Sequence, residues 1–360
     1  MATPPRLSVL MSVYNGGPYL AEAVTSVLSG PFADLEFVVV DNCSTDGSVA
    51  YLAGIDDPRL RLIRNAENLG QTRALNVGLR ACTAPLVARL DADDVSLPDR
   101  FAAQAEALDA AGDLVLVGGQ ALRIGADGRT WGATRLPTAA NSIVAQMMVA
   151  NCFVHSAAMF RRDAALALGG FPEDFAVAQD YALFSALMRV GGRLVNLTRP
   201  VVKLRTHPEQ VMAGALGERE RAETAFIVAE NLAWLLGGPT DPELGETLRR
   251  LWSRGREPTP FPPDPAALPL LEAIFRHPRL DSGQRALLAL SILGGRCDGR
   301  WDVRRLLLSV VLRERPTALL DRSARQWAGR ALAGSRAAWR NRRQAARGTS
   351  NAITPGRPSR

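Results

Sequence analysis

Lysine is all but missing from this chain: of 43 basic side chains, only Lys203 is one. So lopsided a choice points to the codon bias of a GC-rich genome, so the number of arginines carries no functional weight by itself. Cysteine is scarce too. Cys43, Cys82, Cys152 and Cys297 stand far apart, without CxxC or metal-ligand spacing, which suits reduced thiols in a reducing cytoplasm. Nowhere do eighteen plainly apolar residues run together, and the opening "MATPPRLSVLMSVYNGG" lacks a basic stretch followed by a long apolar one. The expectation is a cytoplasmic protein with no leader and no membrane span. The nearest approach to a span, Asn141 to Phe160, is interrupted by Asn141, Gln146, Asn151 and His155 and reads as a buried helix followed by a buried strand. There is no internal repeat.

What is present is a chain of 360 residues, 47% of them hydrophobic, enough for one large core with an appendage or for two domains. The net charge of +7 resembles a nucleic-acid signature until it is located. Residues 301–360 hold fourteen arginines against three acids, a balance of +11, which leaves −4 for residues 1–300. The basicity belongs to the tail, where aromatics are sparse and no nucleic-acid motif occurs, so no nucleic-acid partner is expected.

The first hundred residues alternate short apolar runs with amphipathic stretches, the pattern of βαβ units around a mostly parallel sheet. Strands are expected at 6–14, 35–40, 59–63, 84–90 and 114–119, with helices at 18–29, 46–53, 71–82 and 98–111. Each early strand runs into a polar or Gly-rich loop: "NGG", "DNCSTDGS", "NAENLGQ", "DADDVS". In open α/β sheets such loops gather at the carboxyl edge, where ligands bind. Beyond residue 120 a hairpin around Ala126-Asp127-Gly128 is expected, then a helix near 138–150, a strand at 153–160, a helix at 179–189 and the strands "RLVNL" and "PVVKLR". Residues 217–345 read as helical, and the last dozen or so as disordered.

The chemistry concentrates in "ARLDADDVSLPDR". Asp91, Asp93 and Asp94 crowd a strand end with no Cys or His beside them, hard oxygen ligands that suit Mg²⁺ or Mn²⁺. A solvated loop capping the helix that follows Pro98 is the competing reading.

Four ordered segments decide the context: "LSVLMSVYNGGPYLAEAVTSVL", "LEFVVVDNCSTDGS", "NAENLGQTRALNVGL" and "VARLDADDVSLPDR". Together they closely resemble the family 2 inverting glycosyltransferases of bacterial type, and "AQDYALFSALMR" and "KLRTHPEQ" resemble two later motifs of that family. The resemblance covers roughly residues 6–207. It implies a GT-A fold, a Rossmann-like α/β sheet flanked by helices, followed here by a helical C-terminal region. The expected division is a catalytic domain at 1–215, with a nucleotide-sugar half to about 119 and an acceptor half beyond it. A helical region at 216–345 and a tail at 346–360 follow.

By resemblance, Asp41 accepts a hydrogen bond from the nucleotide base, favouring uracil or thymine. The family usually has a second acid where this chain has Asn42. Ser12, Val13 and Tyr14 flank the base and ribose, with a core position the alternative for Tyr14. Arg73 reaches the nucleotide or is a solvated helix residue. Asp93 binds the metal directly, and Asp91 contacts the ribose or a metal-bound water. Asp180 matches the catalytic base, although the usual Glu before it is Gln179; Glu173 and Asp174 compete for the role. Arg205 and His207 fold back over the pyrophosphate, Arg205 neutralising charge and His207 contacting metal or phosphate. His155 falls on the acceptor side.

The implied activity is metal-dependent inverting transfer of a sugar from a UDP- or dTDP-type donor. The acceptor is a hydroxyl of a saccharide or lipid-linked glycan, in cell-surface glycan biosynthesis. A non-catalytic nucleotide-sugar or glycan-binding module is the alternative. A processive synthase would carry membrane helices and a Gln-x-x-Arg-Trp signature, and a nucleotidyltransferase a basic phosphate loop; "MSVYNGGPYL" contains no basic residue. The tail interleaves Leu, Val and Trp with Arg. It reads either as basic helices on the inner face of the cytoplasmic membrane, anchored by Trp327 and Trp339, or as helices packed on the protein with a solvated Arg face.

Overall fold

The computed structural model describes residues 4–208, 215–240, 242–252, 267–278, 280–293, 306–307, 309–310 and 313–314. The expected disordered tail and the anchors Trp327 and Trp339 lie outside them. The chain divides into two compact units, Met1–Glu246 and Thr247–Arg360.

The first unit begins with strict alternation: β1 (Leu7–Val13), α1 (Leu20–Leu28), β2 (Leu35–Asp41), α2 (Ser48–Ala53), β3 (Leu60–Arg64), α3 (Gln71–Ala81) and β4 (Leu86–Arg89). β1 pairs in parallel with β2 and β4, and β2 with β3. All seven residues of β2 are buried, as in a strand covered on both faces, hence the apolar run Phe37–Val40; the one charge inside it, Glu36, is met by Ser8, Arg61 and Thr83. Helix α3 lies close over this sheet at Gly78, where a Cβ would fall 2.3 Å from Leu10 Cδ1 and 2.9 Å from Val40 Cγ2.

The remainder of this unit is β5 (Val95–Ser96), α4 (Arg100–Asp109), β6 (Leu114–Ile124), β7 (Thr130–Ala133), α5 (Ala140–Met147), β8 (Met159–Arg161), α6 (Arg162–Ala167), α7 (Gln179–Arg189), β9 (Arg193–Arg205) and α8 (Ala215–Leu236). The sheet order is β3-β2-β1-β4-β8-β6-β9-β5, with β7 paired to β6. The half built from β1 to β4 is parallel. Beyond β4 the sheet becomes mixed, because β8 enters antiparallel to both β4 and β6. The expected hairpin forms, with Gly128 at φ 76° in its turn.

Two expectations shift. The strand expected at 153–160 begins only at Met159, after a 3-10 turn at His155–Ala157. Polar groups claim the segment before it: Phe153 N donates to Asn151 Oδ1 at 3.0 Å, and Ser156 is drawn to Asp91. The two strands expected at the end of the domain are one, β9, whose register against β6 is irregular around the Gln120–Pro200 pair. Proline has no N–H to give a ladder, so the pairing slips there rather than ending.

Helix α9 (Pro242–Trp252) spans the division between the units. The second unit contains α10 (Ala267–Arg276) and α11 (Ser282–Leu293), with Leu271, Ile274, Ala286, Leu288, Ile292, Leu307 and Val310 buried. Among the described residues no helix is long and apolar enough to cross a membrane.

Candidate active site

The loops after β1 and β2 are stitched together by the polar residues of "NCSTDGS". Asn15, at φ 52°, donates its N–H to Ser44 Oγ at 2.9 Å and accepts from Thr45 N at 2.8 Å. Gly16 N donates to Ser48 Oγ at 2.9 Å, and Gly17 N to Asp46 at 3.2 Å. Ser44, Thr45 and Asp46 therefore serve as turn chemistry that fixes the first loop against the second. Asp41, 1% exposed at the end of β2, lines a cleft of about 320 Å³ with Cys43, Ser44, Arg64, Asn65 and Ala66. Next to it Asn42 uses both ends of its amide. Its Nδ2 donates to Asn68 Oδ1 at 2.7 Å, while its Oδ1 accepts from Asn65 Nδ2 and Leu69 N, both at 3.0 Å. An aspartate could not donate, which is a physical reason for asparagine here.

The clustered carboxylates have separate fates. Asp91 is bound by Arg89, and its Oδ2 accepts from Ser156 Oγ at 2.7 Å. Burial raises its carboxyl, but the Arg89 charge first and the Ser156 hydroxyl outweigh that and hold it below the usual range. Asp94 is 1% exposed and accepts Arg205 N at 2.8 Å. Burial, then repulsion from Asp93 and Asp91, push its carboxyl well above the usual range. It ties β9 to the carboxylate loop rather than capping α4, whose cap position is Asp99.

Asp91 and Asp93 are about equally exposed, 26% and 28%, but whereas Asp91 has Arg89 and Ser156 on its two oxygens, the Asp93 side chain has His207 Nε2 3.1 Å from its Oδ2. Among the described residues no three His, Cys, Asp or Glu side chains converge as a ready metal cluster. A carboxylate completed by substrate phosphate oxygens and water is the manner in which Mg²⁺ is commonly held, and the Asp93 carboxylate fits that; the His207 imidazole beside it is a softer nitrogen donor than Mg²⁺ usually takes.

Arg205 is not presented to solvent; its side chain is 2% exposed. It donates from Nε to Asp93 O at 2.9 Å, pairs with Glu22, reaches Gly125 O at 3.3 Å and sits 4.5 Å over the Tyr19 ring. Tyr19 in turn packs on His207, ring centroids 4.9 Å apart.

Asp180 opens α7, partly buried, and accepts from Asn151 Nδ2 at 2.9 Å. Burial first, and the Asp91 charge in addition, lift its carboxyl to about 6 against the opposing hydrogen bonds of Tyr181 N and Asn151. Of its competitors, Glu173 is engaged by Arg73 Nε at 3.1 Å and Asn76 Nδ2 at 3.2 Å, while Asp174 is exposed. Arg73 is itself largely exposed, at 61%. Val13 is buried, Ser12 partly so, and Tyr14 is 52% exposed, so Tyr14 is no core residue. His155 lies edge-on to Phe171 with its Nε2 buried and without a hydrogen-bond partner. Burial, with the nearby Arg89 charge, lowers it to about 3 and keeps it neutral.

Sequence reasoning missed the two arginines beneath the acids. Arg89 and Arg100 are 0% and 1% exposed; Arg100 donates to Arg89 O at 2.7 Å, and burial drops it to about 9. Arg89 shares strand parity with Asp91, an (i, i+2) relation that was legible. Ser156, Asn151, Tyr19 and Glu22 carried no such signal, since their partners lie 65, 29, 188 and 183 residues away in the chain.

A parallel sheet with its polar loops on the carboxyl edge, continued by a mixed half, is the GT-A arrangement of nucleotide-sugar transferases. Residues 8–169 match the family model described as glycosyl transferase family 2. The chain is 31% identical over 211 residues to the putative glycosyltransferase EpsE of Bacillus subtilis, covering 57% of this chain and 74% of that protein. It is 30% identical over 211 residues to the succinoglycan biosynthesis protein ExoO of Rhizobium meliloti, covering 52% of this chain but only 57% of ExoO. In fold it is similar to S. aureus TarS 1–349 in complex with UDP-GlcNAc, with a TM-score of 0.54, 15% identity, and coverage of 87% of this chain and 91% of that one. The chain belongs to glycosyltransferase family 2, and is a glycosyltransferase.

Proposed function

We propose that this glycosyltransferase is metal-dependent and inverting. It would move a sugar from a UDP- or dTDP-type donor to a hydroxyl of a saccharide or lipid-linked acceptor, in the assembly of a cell-surface glycan. The observation that carries the reading is Asp180, a partly buried acid lifted to about 6 beside the carboxylate loop. Its affinity for a proton near neutrality is what a general base taking the acceptor's proton needs. Inversion asks for one such base, because attack at the anomeric carbon and departure of the diphosphate are a single in-line displacement. Glycosidases, by contrast, need two opposed carboxyls.

Asp41 receives the base in the cleft, with Ser12, Val13 and the exposed Tyr14 alongside and Arg73 at the nucleotide's rim. Asp93 and His207 would hold Mg²⁺ or Mn²⁺, which when bound would offset charge on the leaving diphosphate. Asp91, whose oxygens already face Arg89 and Ser156, orients the ribose or a metal-bound water. Arg205 acts by holding Asp93 and its loop in place. The succinoglycan in ExoO's name and the UDP-GlcNAc in the TarS complex support the glycan and uridine parts of the reading. The arginine-rich tail is assigned to an anionic membrane face, where a lipid-linked acceptor would be met.

Calorimetry of UDP, dTDP, GDP and ADP, each with Mn²⁺, Mg²⁺ or EDTA, tests this. Metal-dependent binding of a pyrimidine diphosphate is expected, and folded protein that binds none of the four refutes the site.

A further inference from the structure

Helix α7, which carries Asp180 in its first turn, starts without a cap of its own. Its cap position is Ala178, and no local side chain bonds the helix start. The backbone that leads into it is held from α8 instead. Glu223, 8% exposed, accepts three consecutive backbone N–H groups: Ala176 on Oε1 at 2.9 Å, and Val177 and Ala178 on Oε2 at 2.9 and 2.8 Å. Arg219, one turn earlier on α8, donates from Nε to Oε1 at 2.8 Å and braces it. The far end of α7 is held by the same helix, through Arg189 to Asn231 Oδ1 at 2.8 Å and to Glu230 at 3.0 Å. Midway, Asn231 donates to Ser185 Oγ at 3.1 Å.

We infer that Glu223 is a positioning residue for transfer: by pinning the backbone of 176–178 it aims Asp180, two residues further on, at the acceptor hydroxyl. This rests on reading Asp180 as the base. The chemistry demands a carboxylate of this length. Three N–H donors and an arginine need two acceptor oxygens, whereas glutamine would turn an NH₂ towards one of those donors, and aspartate is a methylene too short. Burial raises the Glu223 carboxyl, but the hydrogen bonds from Ala178, Ala176, Arg219 and Val177 outweigh that and keep it ionised. The stake is geometric, since misplacing a reacting group by about 1 Å can cost on the order of a hundredfold in rate.

Glu223→Gln and Glu223→Asp are compared with Asp180→Asn in the full chain. UDP release from UDP-GlcNAc, UDP-glucose and UDP-galactose is followed with water as acceptor, alongside UDP affinity, thermal melting and amide hydrogen exchange over 176–189. For Glu223→Gln, kcat falls about ten- to a hundredfold while UDP affinity is unchanged. The amides of 176–178 exchange faster, while those of 183–189 keep their protection. Unchanged exchange at 176–178 overturns the inference, and this arm decides without turnover. So does a wild-type kcat, or loss of UDP affinity and protection throughout, which marks a general structural role. If the glutamine variant does not fold, the aspartate variant is judged by the same readings. Wild-type release by Asp180→Asn would sink the base assignment whatever Glu223 does; an inactive Asp180→Asn beside a fully active Glu223→Gln would sink Glu223 alone.

Discussion

Asparagine at position 180 should abolish transfer and at the same time stabilise the protein at alkaline pH. The amide keeps an oxygen for Asn151 Nδ2, which bonds the carboxylate at 2.9 Å, but it neither accepts a proton nor carries charge. In the wild type the carboxyl rises from 3.8 to about 6 on folding, burial being the main cause. A raised acid favours the folded state's protonated form. Its ionisation therefore costs nothing below pH 3.8, a growing amount between there and about 6, and the full amount above.

Two units correspond to about 3 kcal/mol; partial solvent access reduces that to about 1–2 kcal/mol. Each kcal/mol moves a melting midpoint by about 2–4 °C in a chain region of this size. The Asp180→Asn variant should then melt several degrees higher than wild type at pH 8, with the gap closing towards pH 4. Transfer by the wild type should rise through pH 6 to a plateau, and the variant should keep UDP affinity. Melting paired with UDP release across pH 4–9 is the assay. A variant that still transfers, or a stability difference of one size at every pH, refutes the reasoning.

Asn42→Asp removes the donor to Asn68 and sets a second charge beside buried Asp41; a loss of about 1–3 kcal/mol is expected from urea unfolding, and unchanged stability would dismiss the amide network. Gly78→Ala forces a methyl within 2.3 Å of Leu10 Cδ1, so a loss of about 1–3 kcal/mol should appear in the same titration; a neutral result would mean that α3 rides higher on the sheet than described. Removing residues 315–360, eleven arginines against one aspartate, should weaken sedimentation with phosphatidylglycerol vesicles but not with phosphatidylcholine ones. Equal sedimentation of both chains would end the membrane assignment.

The sequence by itself determined the alternation of β1 to β4 with α1 to α4, because strands inside a covered sheet are mostly apolar and the helices between them amphipathic. It also determined the hairpin at Gly128 and the start of α7 at Gln179, and it marked Asp41, Asp93, Asp180 and His207 as chemistry in search of a common edge. Tertiary structure decided what sits under and around them. Whether Asp91 or Asp93 remains free for a ligand depends on Arg89, Arg100 and Ser156, drawn from two separate elements and an isolated turn. Whether Arg205 faces solvent depends on Glu22 and Tyr19, brought to it by α1 across more than 180 positions. The carboxylate that holds the backbone ahead of α7 stands on α8, out of reach of any local pattern. Periodicity and turn chemistry act over a few residues and can be read there. Burial of a charge, and the shift in proton affinity that follows, belongs to partners that only the folded chain assembles.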